Sequence, residues 1–125
     1  MKISDILKRP GVSVSFEVFP PKKDAPLAPV KDAVGRLAAL GPSFISVTYG
    51  AGGGASANTA SIASFVQNDC HTTALAHLTC VGATRADIDS AIVRLRAAGI
   101  ENVLALRGDL PAGENLDPAT LEIAQ

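Results

Sequence analysis

The chain has 125 residues, of which 47% are hydrophobic and 18% charged, and its net charge is −1. That length fits one domain over residues 1–125 with apolar content enough for a core, and the charge balance supplies no field for nucleic acid or an anionic membrane. No apolar run approaches the ~20 residues of a membrane span, and 4% aromatics without Trp do not make a stacking platform for single strands.

The first residues, MKISDILKRPG, are charged and lack the apolar stretch of a secretory signal. Residues 3–8 read as one helical turn capped by Ser4. Val12–Phe19 alternates Val12, Val14, Phe16 and Val18 against Ser13, Ser15 and Glu17, the period of a strand, and Pro20-Pro21 ends it. Over Leu27–Leu40, Val30, Val34 and Leu37 recur at helical spacing until Gly41-Pro42. A second strand, Ser43–Tyr49, has Phe44, Ser46 and Thr48 on one face. A glycine run, Gly50 to Gly54, then leads into a helix carrying Ile62, Phe65 and Val66. The third strand is Thr73–Thr79, with Thr73, Leu75 and His77 opposite Ala74, Ala76 and Leu78. Thr84 followed by Asp87 has the spacing of a capping box. The helix that follows is amphipathic through Ile88, Ala91, Ile92 and Leu95, and Gly99 suits its C′ position. Asn102–Leu106 is the fourth strand, running into Arg107-Gly108-Asp109, and Asp117-Pro118 reads as the start of a last helix. Cys70 and Cys80 are too few for a disulfide framework or a zinc site, so a reduced, cytoplasmic setting without metal is expected.

The four strand-like runs start about thirty residues apart and end at Glu17, Thr48, His77 and the pair Arg107/Asp109. Polar groups at the carboxyl ends of successive parallel strands are how a (β/α)8 barrel builds its active site, and eight such units need roughly 250 residues. The chain therefore reads as α/β, the first four βα units of a TIM barrel. The face holding Glu17, Thr48, His77 and Asp109 is expected to point inward, with the bulkier Val, Ile and Leu face beneath the helices.

Among these residues, Glu17 lies between Phe16 and Val18, and desolvation there would suit a general acid; a satisfied strand-end carboxylate is the plainer alternative. His77 has the chemistry of a base, a flavin contact or a metal ligand, although no carboxylate stands at metal spacing from it; a hydrogen-bonded structural histidine is the plainer alternative. Arg107 and Asp109 can serve a ligand or simply pair with each other. The glycine run is neither a Walker A nor a GxGxxG sequence, and Cys80 reads as a small core residue.

Four literal strings carry the reading further. Ser15-Phe16-Glu17-Val18-Phe19-Pro20-Pro21-Lys22, Phe44-Ile45-Ser46-Val47-Thr48-Tyr49-Gly50-Ala51, His77-Leu78-Thr79-Cys80 and Ala105-Leu106-Arg107-Gly108-Asp109-Leu110-Pro111 occur in this order. Over about residues 12 to 113 the chain closely resembles the amino-terminal half of methylenetetrahydrofolate reductases. The resemblance implies an FAD-dependent barrel enzyme that takes a hydride from NADH or NADPH and reduces 5,10-methylenetetrahydrofolate to 5-methyltetrahydrofolate. It implies that Glu17 is the general acid that opens the folate imidazolidine ring, and that Asp109 orients the pterin near the flavin. Thr48, Tyr49, Ala51, His77, Arg107, Gly108 and Asp109 match cofactor contacts. After the glycine run, Ala55-Ser56-Ala57-Asn58 stands before Thr59 where the family carries charged residues. Strands five to eight of the family have no counterpart in the 125 residues, which implies a chain inactive alone, with open sheet edges that favour homo-oligomers. Two readings from other classes stay open: a non-catalytic half-barrel that assembles with a second half, and a cofactor-free barrel lyase with Glu17 as its acid.

Overall fold

The computed structural model describes residues 1–22, 24–49 and 55–109. Its elements alternate: α1 (Ile3–Ile6), β1 (Ser15–Val18), α2 (Ala28–Ala38), β2 (Phe44–Val47), α3 (Ala55–Ser64), a π-helical continuation (Phe65–Asp69), β3 (Ala74–Thr79), α4 (Arg85–Ala97) and β4 (Asn102–Leu106). The strands form one four-stranded sheet in the order β1-β2-β3-β4, and every pairing is parallel. A sequential all-parallel sheet with a helix in each connection is the architecture of part of a (β/α) barrel.

One side of the sheet is packed and the other is open. Val18, Ile45, Val47, Ala74 and Ala76 meet Val34 of α2, Ile62, Ala63 and Val66 of the third helical segment and Leu95 of α4. Small alanines on β3 let α3 approach closely, and Ile45 and Ile62 are the largest of the wholly buried side chains. The helical periodicity is met: Val30 and Leu37 pack beside buried Val34, and Ala91 and Leu95 are the buried residues of α4. The capping box of α4 forms as expected, with Thr84 Oγ1 accepting from Asp87 N at 3.2 Å and Thr84 N donating to Asp87 Oδ2 at 2.9 Å. Gly99 follows the helix at φ 73, a conformation in which a side chain is strained.

Several expectations change. Ser4 does not cap α1; the N-cap is Lys2 and no side chain accepts there. The first strand spans Ser15–Val18 rather than Val12–Phe19: the ladder with β2 begins at the Ser15–Phe44 pair, preceded by one bond in which Ser43 N donates to Val14 O at 2.8 Å. Val12 is left almost fully exposed. Cys70, not Cys80, packs against the core, since Cys80 already lies past the end of β3. Burial first, then the carboxylate of Asp69, pushes the Cys70 thiol above the usual cysteine range. The expected helix at Asp117-Pro118 lies outside the described residues. Among the described residues, no helix is long and apolar enough to cross a membrane.

At the amino ends of the strands, Asn102 ties α1 to the sheet. Its Oδ1 accepts from Ile3 N at 2.9 Å, and its Nδ2 donates to Met1 O at 3.0 Å and Ala74 O at 3.3 Å. The start of β4 is thereby held to α1 and to β3.

Candidate active site

Register decides which side chains share the open face. Glu17 pairs with Ser46, Ser46 with Leu75, and Leu75 with Asn102. One pleat nearer the carboxyl ends, His77 pairs with Leu104, and Thr79 pairs with Leu106. Residues paired across a parallel ladder point to the same face, and alternate residues repeat it. Glu17, Ser46 and His77 therefore stand together on the face away from the helices.

They also touch. Ser46 Oγ donates to Glu17 Oε2 at 3.2 Å, with the Phe16 carbonyl oxygen at 3.5 Å as a second acceptor. His77 Nε2 lies 3.7 Å from the same Glu17 oxygen, the separation of an ion pair when the imidazole is protonated. The His77 side chain is 11% exposed and that of Glu17 is 50% exposed. The expected desolvation of Glu17 is thus absent: Val18 and Phe16 face the helices, and the alternation that buries them turns Glu17 the other way.

Thr48 follows β2 and is half-buried. Its backbone is fixed from both sides, with Thr48 N donating to Val18 O at 3.0 Å and Thr48 O accepting from the buried Thr59 Oγ1 at 3.0 Å. Tyr49, also half-buried, is next to it. Ala51 and the rest of the glycine run lie outside the described residues.

The fourth strand departs from the expected polar inner face. Leu104 and Leu106, each 40% exposed, share the face of His77 and Thr79. Asp109 lies three residues beyond β4, exposed, after Gly108 has broken the strand alternation at φ 90. Among the described residues, no hydrogen bond or ion pair joins Asp109 to Glu17, His77 or Arg107. Arg107 turns instead on its neighbour, with Nε donating to Gly108 O at 3.3 Å. Gly108 has a packing reason to be glycine: an added Cβ would overlap Thr79 Cγ2 and stand 2.7 Å from Val81 Cγ1.

Sequence reasoning assigned no role to Ser46 or Thr59. Ser46 shares the alternating face of Thr48, which is a signal, but its acceptor belongs to a strand twenty-nine residues away and is set by register. Among the described residues, no group of three or more His, Cys, Asp or Glu gathers as a metal site would require.

Chemically, the arrangement is a carboxyl group anchored at one oxygen beside an imidazole. Next to it are a leucine surface and the strand-end groups Thr48, Tyr49 and Arg107. A family model described as Methylenetetrahydrofolate reductase matches residues 2–124. Methylenetetrahydrofolate reductase (NADH) 1 of Arabidopsis thaliana is 40% identical over 114 residues, covering 91% of this chain and 19% of that protein. Methylenetetrahydrofolate reductase 1 of Schizosaccharomyces pombe is 40% identical over 114 residues, covering 87% of this chain and 19% of its own length. The 5,10-methylenetetrahydrofolate reductase of Escherichia coli is 38% identical over 102 residues, covering 82% of this chain and 34% of the relative. The chain thus spans between 19% and 34% of the length of these relatives. With the match running through nearly every residue, the chain belongs to the methylenetetrahydrofolate reductase family.

Proposed function

We propose that the Glu17–Ser46–His77 face is one sector of a methylenetetrahydrofolate reductase active site, carried on half of a (β/α)8 barrel. The complete site would reduce 5,10-methylenetetrahydrofolate to 5-methyltetrahydrofolate with FAD and NADH or NADPH. The observation that carries this reading is the Glu17 carboxyl group, engaged through Oε2 by Ser46 at 3.2 Å, with no partner on Oε1 among the described residues.

Opening the imidazolidine ring needs a proton on the departing ring nitrogen. In its protonated form Glu17 can deliver that proton from the oxygen that Ser46 leaves free. The C–N bond then breaks, its electron pair stays on the newly protonated nitrogen, and the methylene carbon becomes an iminium able to accept hydride. His77 Nε2 lies 3.7 Å from the oxygen that Ser46 engages.

FAD is the cofactor implied by the family, and the residues present fit it. Leu104 and Leu106 offer an apolar surface, 40% exposed, for a flat ring system. Thr48, Tyr49 and His77 supply polar groups at its border, and exposed Arg107 supplies a cation suited to a phosphate. When bound, FAD supplies hydride transfer between nicotinamide and folate. The chain's own part is to border the ring, with Thr48 locked by Thr59, and to hold the acid.

The test is a fusion in which this chain replaces the matching segment of the Escherichia coli relative. NADH-dependent reduction of 5,10-methylenetetrahydrofolate that depends on Glu17 is the expected result. A fusion that folds and binds flavin, but reduces folate equally well with Glu17→Gln, would overturn the reading.

A further inference from the structure

We propose that Ser46 is the positioning residue for the Glu17 carboxyl group, a role that rests on the reading of Glu17 as the general acid. Ser46 is buried, on the central part of β2, directly in register with Glu17 on β1. Its hydroxyl has one proton and two acceptors in reach, Glu17 Oε2 at 3.2 Å and the Phe16 carbonyl at 3.5 Å. The carboxylate is the stronger acceptor, because a charged partner roughly doubles the strength of a hydrogen bond. When Glu17 holds the proton, the hydroxyl can turn to the Phe16 carbonyl, which is already in place. Both states of the acid are thus accommodated without moving the backbone.

Glu17 needs such a partner. Its side chain is 50% exposed and crosses the open face, so packing alone does not choose its rotamer. His77 lies 3.7 Å from Oε2, beyond the range of a good hydrogen bond, and fixes no direction. Ser46 supplies the directional contact, and its small side chain leaves room for the glutamate to lie over it. A general acid must be held in hydrogen-bond reach of the atom it protonates, and a displacement of about 1 Å can cost 10²-fold.

The test uses the fusion described above together with this chain itself. Ser46→Ala keeps the space and removes the donor; Ser46→Thr keeps the donor; Ser46→Val has the shape of Thr without the hydroxyl. Folate reduction should fall about tenfold in kcat in Ala and Val and recover in Thr. KM for folate and the rate of flavin reduction by NADH should stay within about twofold in all three. In the Glu17→Gln background Ser46→Ala should add no further loss, because Ser46 acts through Glu17. A Val variant as active as Thr, or a loss that adds to that of Glu17→Gln, would overturn the proposal. In the isolated chain, labelled at the glutamate carboxyl carbons, the signal assigned by its disappearance in Glu17→Gln should move in Ala and Val and stay in Thr. An unmoved signal would overturn the Ser46–Glu17 contact itself. A moved signal combined with folate reduction indifferent to Glu17 would instead overturn the acid reading, and the positioning role with it.

Discussion

His77 Nε2 lies 3.7 Å from Glu17 Oε2, although β2 stands between their strands. The contact exists because Ser46, the residue of β2 between them, is small and donates to the same oxygen. Three strands thereby converge on one carboxyl group. Glu17→Gln keeps the size and polarity of the group but cannot donate an acid proton. In the fusion, flavin reduction by NADH should be spared, since that step needs no acid at the folate. Folate reduction should slow by roughly 10² or more, the usual scale for losing a general acid. Stopped-flow absorbance of the two half-reactions checks this, and equal losses in both would remove Glu17 from the acid role.

Gly108→Ala should be among the most damaging single changes to stability. The new methyl group would overlap Thr79 Cγ2 and crowd Val81 Cγ1, and the residue would be strained at φ 90. Overpacking and backbone strain together cost about 3 kcal/mol or more. The backbone there is also tied to β3, with Val81 N donating to Arg107 O at 2.7 Å and Cys80 N to Leu106 O at 2.9 Å. A large drop in Tm is expected, measured by circular dichroism. An unchanged Tm would mean that this turn relaxes freely and that glycine is needed there for another reason.

The capping box of α4 makes stability depend on acid. Hydrogen bonds from the Thr84 hydroxyl and then the Thr84 backbone hold the pKa of Asp87 below the usual aspartate range. The folded chain therefore holds the Asp87 proton less tightly than the unfolded chain. Its contribution is complete above the ordinary aspartate value, about pH 4, and is lost as pH falls through the lower folded value. Thr84→Ala should lower the urea midpoint at neutral pH. The gap between variant and parent should narrow as the pH falls well below the aspartate range. A gap independent of pH would show that the cap works without the Asp87 charge.

What the sequence made legible, and what it did not, divides along physical lines. Asn102–Leu106 was bounded correctly, because its limits are local: Gly99 ends the preceding helix and Gly108 breaks the strand. The alternation from Val12 to Phe19 overran, because a strand also needs a ladder partner, and the pairing with β2 runs from Ser15 to Val18 with one further bond from Ser43 N to Val14 O. Glu17 and His77 could be found because each is a polar residue within or at the end of an apolar run. Ser46 and Thr59 could not be assigned roles, because what makes them matter is an acceptor brought near by register or by the return of α3. Likewise, the apolar neighbours of Glu17 in sequence, Phe16 and Val18, are its opposites in space.

The last prediction concerns the sheet edges. Among the described residues, β1 and β4 are each paired on one side only. β4 presents Val103, Leu104 and Leu106, all at least 40% exposed, and Val14 ahead of β1 is 54% exposed. Unpaired edges with apolar side chains recruit other strands. Two copies have a closed solution, in which β4 of each lies parallel to β1 of the other and eight strands complete a ring. The chain is therefore expected to sediment as a dimer or larger species at micromolar concentration. Leu104→Lys separates this association from folding. In a single copy the side chain at 104 is already 40% exposed, so Tm should change little. In a closed ring the new ammonium group would be buried inside, at a cost of several kcal/mol, so the dimer should dissociate. A parent chain that sediments as a sharp 12.8 kDa species, or a Leu104→Lys variant that dimerises as well as the parent, would exclude pairing through this face.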